Sequence, residues 1–167
     1  GAGSRDLPLP NLLRVMIGET ETGSGLIQEK LALLTTNLDD LNPEVYPYLM
    51  DQLFMAGALD VSTLPIQMKK GRPGIQIQVL CSLETNARLK DILFLETTTL
   101  GIRQTIVDRF CLPRTFEEVK TSLGMVRVKI AEIGSQIKVS PEFEDCQKLA
   151  REKKIPLQQV YQEAIQS

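Results

Sequence analysis

Three short segments of the sequence combine residue types that could hold a metal ion together with a polyphosphate. In the first, residues 37–44, Asp39, Asp40 and Glu44 follow an apolar run. Magnesium and manganese ions prefer oxygen ligands, and one or two carboxylates with phosphate oxygens and water complete such a site. Neighbouring strand residues point to opposite faces, so only one of the two aspartates would face a given site. The same spacing also fits an ordinary turn followed by a capped helix.

The second segment, residues 69–74, is basic and rich in glycine. Lys69, Lys70 and Arg72 bring positive charges close together, while Gly71 and Gly74 permit close approach of the backbone to a ligand. A guanidinium fork and two ammonium groups are suited to a polyphosphate. The alternative is a hairpin tip exposed to solvent.

The third segment, residues 96–103, contains three consecutive threonines, Thr97, Thr98 and Thr99, followed by Arg103. Hydroxyl groups and a guanidinium could bind phosphate or ribose, and Arg109 further along could extend a cationic sheet face. The alternative is a β-branched start to the next strand, with the arginines on a solvated or intersubunit face.

The composition excludes several common chemistries. The 167 residues include no histidine, so they supply neither a Ser-His-Asp or Cys-His pair nor a histidine-ligated zinc site. There are 19 Lys and Arg against 21 Asp and Glu, giving a net charge of −2. The pI near 5.3 argues against a general nucleic-acid binder. Three cysteines, an odd number, and the lack of a membrane span or secretory signal predict a cytoplasmic location and no membrane partner.

Hydrophobic periodicity predicts the strands and helices that must position the side chains of these three segments. Their order is strand, helix, strand, strand, helix, strand, the pattern of a ferredoxin-like fold in which two helices cover one face of an antiparallel sheet. The predicted fold class is therefore α+β. The six elements are a strand over 31–38, a helix over 43–56, strands over 59–68 and 75–81, a helix over 85–95 and a strand over 102–112.

Further elements are expected on both sides of this unit. A change of phase in the strand over 59–68 predicts a bulge near Pro65. Residues 1–28, with a short strand over 12–17, are interpreted as the tail of a missing amino-terminal domain and a linker. Residues 29–113 would form the ferredoxin-like domain, and 114–167 a smaller β-rich and helical extension. That extension would contain strands over 116–121, 125–132 and 136–139, a helix from Ser140-Pro141 to Lys153, and a last helix from Ile155-Pro156.

Six segments together resemble one family, the nickel-insertion proteins, or cyclometallases, which complete the nickel-pincer cofactor of lactate racemase. Each motif alone is unspecific, but six in order at suitable spacing span nearly the whole chain. The resemblance is to the carboxyl-terminal portion of such a protein. The portion missing here includes a histidine-rich stretch in the family, which would explain the absence of histidine. The six segments are 1–6 with 10–15, 37–44, 55–61, 68–74, 96–103 and 138–146.

The resemblance implies insertion of Ni²⁺ into pyridinium bisthiocarboxylic acid mononucleotide by a CTP-dependent enzyme of the lyase or chelatase class, using Mn²⁺ or Mg²⁺. Nickel prefers nitrogen and sulfur ligands, which are scarce here, so we expect this portion to bind the metal–CTP complex and the missing portion to handle nickel. A homo-oligomer, a trimer or a hexamer, is expected. The implied metal ligands are Asp39, Asp40, Glu44 and Glu96. The implied nucleotide-binding residues are Lys69, Lys70, Arg72, Thr97, Thr98, Thr99, Arg103 and Arg109.

Two other classes remain open. A non-catalytic ferredoxin-like module could pair subunits through its bare sheet face or bind a small effector. An RNA-binding module would carry stacking aromatics on central strands, whereas the Phe and Tyr residues here mostly lie in predicted helices or termini. No nucleic-acid partner is therefore expected.

Overall fold

A computed structural model of the chain describes residues 25–167, so the strand expected over 12–17 lies outside the described residues. Within them, no helix is long and apolar enough to cross a membrane. The elements are β1 (Ile27–Leu38), α1 (Val45–Met55), β2 (Ala58–Gln67), β3 (Pro73–Cys81), α2 (Asn86–Glu96), β4 (Arg103–Cys111), β5 (Arg114–Lys120), β6 (Met125–Ile133), β7 (Gln136–Pro141), α3 (Phe143–Lys153) and α4 (Leu157–Gln166).

The first four strands form an antiparallel sheet in the order β2-β3-β1-β4, with β1 paired to both β3 and β4. Helices α1 and α2 pack on one face of this sheet. Their leucines, such as Leu49 and Leu89, are fully buried against Leu34 of β1 and Ile77 of β3. Each such side chain contributes about 1.5–3 kcal/mol on burial. The predicted ferredoxin-like α+β fold is confirmed.

Alternation along β1 separates the two faces of the sheet. Ala32, Leu34 and Thr36 are buried beneath the helices. The residues between them, including Thr35 and Asn37, point to the opposite face, which no helix covers within residues 25–167. This second surface is called the open face below.

A smaller sheet follows, in the order β5-β6-β7, and α3 and α4 pack against it. Val126 of β6, Cys146 and Leu149 of α3, and Val160 of α4 form its own apolar cluster. The three strands and two helices expected in this region are present, and the division of the chain into domains stays a prediction.

The prediction of a bulge near Pro65 is wrong. Pro65 pairs regularly with Ile75, and the irregularity lies at the start of β2, where Leu59 is the extra residue. Strand β2 is at the edge of the sheet, where a proline can lie without breaking the hydrogen-bond ladder.

Two helix starts also differ from expectation. Ser140 and Pro141 pair with β6 as the end of β7, so α3 begins at Phe143. Helix α1 begins at Val45, because the turn before it closes on itself: the Asn42 side-chain oxygen accepts from the Glu44 N–H at 3.1 Å.

Candidate functional site

Asp39 and Arg72 meet at one end of the four-stranded sheet, although 33 positions separate them in the chain. Asp39 directly follows β1, and Arg72 lies in the hairpin between β2 and β3. Because Ile75 of β3 pairs with Leu38 of β1, the hairpin lies alongside the carboxyl end of β1. Arg72 Nη1 donates to Asp39 Oδ2 at 3.1 Å. The arginine side chain is 63% exposed, so the pair adds at most about 1 kcal/mol to stability, and its main effect is to place opposite charges together.

The hairpin itself is compact and closely apposed to β1. A single 3₁₀ turn spans Lys69–Gly71, with Lys70 in the left-handed region at φ 62°. The Met68 N–H donates to the Arg72 carbonyl oxygen at 2.8 Å. At Gly74, a Cβ atom would lie 2.7 Å from both the last carbonyl oxygen of β1 and the Met68 sulfur. Glycine therefore permits the approach that brings the arginine to the aspartate, while both lysines of the turn remain exposed.

The threonine triplet lies beside Asp40, after the end of α2. Thr98 Oγ1 donates a hydrogen bond to Asp40 Oδ1. Thr97 Oγ1 donates to the Leu93 carbonyl oxygen at 2.6 Å and accepts from the Thr99 N–H at 3.2 Å, which closes the last turn of the helix. One hydroxyl of the triplet thus faces the acidic end of β1, while its neighbour satisfies backbone groups.

A buried hydroxyl fixes this threonine segment to the central strand. Thr36 is only 1% exposed on the helix-covered face of β1. Its Oγ1 lies 2.5 Å from Thr99 Oγ1 and donates to the Gly101 carbonyl oxygen at 3.0 Å. The segment after α2 and the aspartates after β1 therefore share one anchor.

Arg103 lies at the same end of the sheet, on the open face. Its Nη2 donates to Asn37 Oδ1 at 2.7 Å, and Gln76 Nε2 donates to the same oxygen at 2.9 Å. Gln78 Nε2 in turn donates to Gln76 Oε1 at 2.9 Å. This row of amides spans β4, β1 and β3 and holds the guanidinium on the open face.

A cavity of about 290 Å³ opens beside Asp39, with walls that include three prolines and several aliphatic side chains. Tyr46 of α1 also lines it. Burial, and to a smaller extent the charge of Asp40, raises the pKa of the Tyr46 phenol, so this hydroxyl group stays protonated well above neutral pH and can donate a hydrogen bond. A cavity of this size and character can accept a flat ring beside the Asp39–Arg72 pair.

The four carboxylates implied as metal ligands are not gathered into one cluster. Glu44 is exposed just before α1, and Glu96 is half-buried at the end of α2. In the described part of the chain, no three His, Cys, Asp or Glu side chains are arranged to hold a metal ion. Asp39 and Asp40 suit a hard cation that keeps water and phosphate oxygens as its other ligands, but not the nitrogen and sulfur preference of nickel.

Arg109 is not brought to this end of the sheet. Its Nη2 lies 2.7 Å from Glu29 Oε2, on the open face near the start of β1. Arg103 and Arg109 are six residues apart on β4, which corresponds to about 20 Å. Within one copy of the chain, Arg109 therefore lies far from Asp39.

Sequence comparison identifies the family. A family model described as nickel insertion protein matches residues 1–161. The chain belongs to the nickel insertion protein family. It is 46% identical over 160 residues to a putative nickel insertion protein of Dictyoglomus thermophilum, covering 96% of this chain and 41% of that protein. It is 45% identical over 162 residues to the pyridinium-3,5-bisthiocarboxylic acid mononucleotide nickel insertion protein of Clostridium acetobutylicum, covering 96% of this chain and 38% of that protein. The chain thus spans about two fifths of the length of these relatives.

Two solved structures resemble most of this chain. The apo form of LarC2, the carboxyl-terminal domain of a cyclometallase involved in the synthesis of the NPN cofactor of lactate racemase, matches with a TM-score of 0.79 and 39% identity. That match covers 83% of this chain and 96% of the domain. A protein of Methanopyrus kandleri matches with a TM-score of 0.62 and 28% identity, over 82% and 86% of the two chains. The family resemblance drawn from the six segments is confirmed.

A search for charged motifs in this sequence does not find several polar residues at this end of the sheet. Thr36 reads as part of an apolar strand, and Gln76 and Gln78 read as the polar half of β3. The available signal is alternation: residues between the buried positions of β1 and β3 must all face the same side of the sheet.

Proposed function

We propose that this chain is the part of a nickel insertion enzyme that binds a divalent-cation complex of CTP. The reaction would place Ni²⁺ into pyridinium bisthiocarboxylic acid mononucleotide, completing the cofactor of lactate racemase. The observation that carries the proposal is the Asp39–Arg72 contact, which joins an acidic strand end to a basic hairpin. A metal triphosphate needs both kinds of group at once.

The contacts of Asp39 and Asp40 support a division of labour among these residues. Asp39 supplies a carboxylate oxygen to Mn²⁺ or Mg²⁺, with Asp40, which binds Thr98, as the second candidate ligand. Arg72 moves from Asp39 to a phosphate when the complex arrives. Lys69 and Lys70, both exposed beside it, add charge against the triphosphate. Such cations also stabilise charge that develops on pyrophosphate as it leaves.

The other residues implied by the family resemblance differ in how directly they could contact the nucleotide or the metal ion. Thr98 already binds Asp40 and can donate to the nucleotide instead. Thr97 and Thr99 shape the segment through their backbone contacts. Arg103 lies on the open face, and Glu44 and Glu96 flank the site as weaker metal-ligand candidates. The neighbouring cavity of about 290 Å³ would receive the cytosine ring or the ribose.

Arg109 supports a second element of the proposal, an assembly of identical copies. It is about 20 Å from Arg103 in one chain, so it could reach a nucleotide only on a neighbouring copy. We propose a trimer or hexamer in the cytoplasm, with residues 29–113 as the nucleotide-binding domain, 114–167 as an extension, and nickel handled by a further portion of the protein. The alternative, a non-catalytic module that pairs subunits, is favoured by the uncovered open face.

Calorimetric titration distinguishes these functions. The chain is titrated with CTP and with ATP, each with Mn²⁺, and its assembly is measured by light scattering. We expect heat with Mn²⁺–CTP and at least about tenfold weaker binding of Mn²⁺–ATP. No heat with CTP would contradict the nucleotide assignment, and an assembly seen without such heat would support the non-catalytic module. Equal heat with both nucleotides would contradict the assignment of CTP.

A further inference from the structure

A second cavity, of about 320 Å³, lies where the chain passes from β4 of the large sheet to β5 of the small one. Its lining combines cationic side chains with the aliphatic Leu112 and with small and hydroxyl side chains, and no carboxylate of residues 25–167 is part of it. Its volume is within the range of small-molecule sites. The lining includes Cys111, Arg114, Lys129, Ala131, Lys138 and Ser140.

The register of the small sheet places one cationic residue on each side of a small residue. Arg114 of β5 and Lys138 of β7 both pair with Ala131 of β6, so all three point to the same face. Adjacent strands are about 4.8 Å apart, which places the backbones of the two cationic residues about 10 Å apart. The alanine methyl group leaves a low apolar floor between them.

The charges of this face are not equally available. Lys129 Nζ lies 2.7 Å from Glu142 Oε1 and 5.7 Å from the centre of the Phe116 ring, so it is already occupied. In the described residues, neither Arg114 nor Lys138 takes part in an ion pair. Two available cations across an apolar floor match a flat molecule that carries two acidic groups.

We propose that this cavity binds a flat organic dianion of the pyridine dicarboxylate class, with Arg114 and Lys138 each holding one acidic group above Ala131. The choice of this class rests on the proposed function, whose nickel acceptor is a pyridinium ring with two thiocarboxylic acid groups. The cavity is separate from the Asp39–Arg72 site. Cys111 and Arg103 are eight residues apart on β4, or about 26 Å.

The test uses pyridine-3,5-dicarboxylate as the probe and nicotinamide, which has the ring but no acidic group, as the control. Binding is followed by calorimetry and by the rate at which maleimide alkylates Cys111, the one cysteine of the chain that is not buried. We expect the dicarboxylate to give heat and to slow alkylation at least about threefold, and nicotinamide to do neither.

Variants identify the groups responsible. Arg114→Gln and Lys138→Gln should each weaken dicarboxylate binding at least about fivefold, as expected for loss of one charge-assisted contact. Lys120→Gln, an exposed cation at the far end of β5, should leave it unchanged. Absence of binding, equal binding of nicotinamide, or variants that bind like the wild type would overturn the proposal.

A parallel titration with Mn²⁺–CTP separates this inference from the proposed function. If Mn²⁺–CTP binds and the dicarboxylate does not, the cavity proposal fails and the nucleotide proposal stands. If the dicarboxylate protects Cys111 while Mn²⁺–CTP gives no heat, the cavity proposal stands and the nucleotide proposal fails. If Arg114→Gln abolishes Mn²⁺–CTP binding, the cavity holds the triphosphate and the dianion proposal is overturned.

Discussion

Replacing Thr36 by valine tests whether a buried hydroxyl holds the segment that follows α2. Valine matches threonine in shape, so the substitution removes polar contacts with little change in packing volume. The lost contacts are those of Thr36 Oγ1 with Thr99 Oγ1 at 2.5 Å and with the Gly101 carbonyl oxygen at 3.0 Å. Since Thr36 is only 1% exposed, water cannot replace its hydroxyl group.

The magnitude follows from these contacts. Two hydrogen bonds at about 1 kcal/mol each would be lost. The added buried methyl group returns up to about 0.8 kcal/mol. The free energy of unfolding should therefore fall by about 1–2 kcal/mol, which corresponds to a decrease in Tm of about 2–8 °C for a chain of this size.

Chemical denaturation and thermal unfolding measure this loss, and Thr35→Val is the matched control. Thr35 is the preceding residue of β1, on the open face, and its side chain makes no hydrogen bond within residues 25–167. The control should change stability by less than about 0.5 kcal/mol. Amide hydrogen exchange should also become faster over residues 98–101 in Thr36→Val alone. Equal effects of the two substitutions, or none from Thr36→Val, would refute the anchoring role.

Three further predictions concern other parts of the fold. Gly74→Ala should cost about 1–3 kcal/mol of stability, because its Cβ would meet a backbone oxygen and a sulfur at 2.7 Å, whereas Gly101→Ala, with open space around it, should be tolerated; equal costs in a denaturation series would argue against this close contact. The Arg127 guanidinium lowers the pKa of Asp145, so this carboxylate stabilises the fold fully above its unfolded pKa of about 3.9, and the stabilisation is lost as the pH falls through the lower folded pKa. The stability difference between wild type and Asp145→Asn should therefore disappear in strong acid, and a difference independent of pH would be inconsistent with the ion pair. In the native chain Cys111 should react rapidly with a thiol reagent while the other two cysteines, whose pKa values are raised by burial, react only on unfolding; rapid reaction of all three would contradict the packing.

Sequence periodicity predicts most of the elements, because the apolar stripes of α1, α2 and β3 have no other way to be buried. Sequence periodicity does not predict where an element begins or ends when hydrogen-bond pairing between strands determines that boundary. Ser140 and Pro141 resemble a helix start, yet the free hydrogen-bonding edge of β6 draws them into β7. The change of phase within β2 likewise reflects an edge strand whose outer face is exposed, and not a bulge at Pro65.

Sequence motifs predict the candidate site only in part. Asp39 and Arg72 are each visible as charged residues beside turn formers, but their contact depends on the register of β1 with β3, which is a tertiary property. Arg103 and Arg109 look alike in the sequence, but they lie at different ends of the sheet because β4 is an extended strand. Thr36 could not be identified as polar support from composition, because its burial depends on which face of β1 the helices cover.

The most direct measurement is the affinity for Mn²⁺–CTP of the wild type, Asp39→Asn and Arg72→Gln, with Arg88→Gln, an exposed arginine of α2, as the control. Loss of a contact to a charged group costs about 1.5–3 kcal/mol, so each site variant should bind about 10- to 100-fold more weakly while the control is unchanged. Asp39→Asn should also abolish the gain in affinity that Mn²⁺ gives over CTP alone. Wild-type affinity in both site variants, with Mn²⁺ dependence intact, would contradict a shared site for metal and triphosphate.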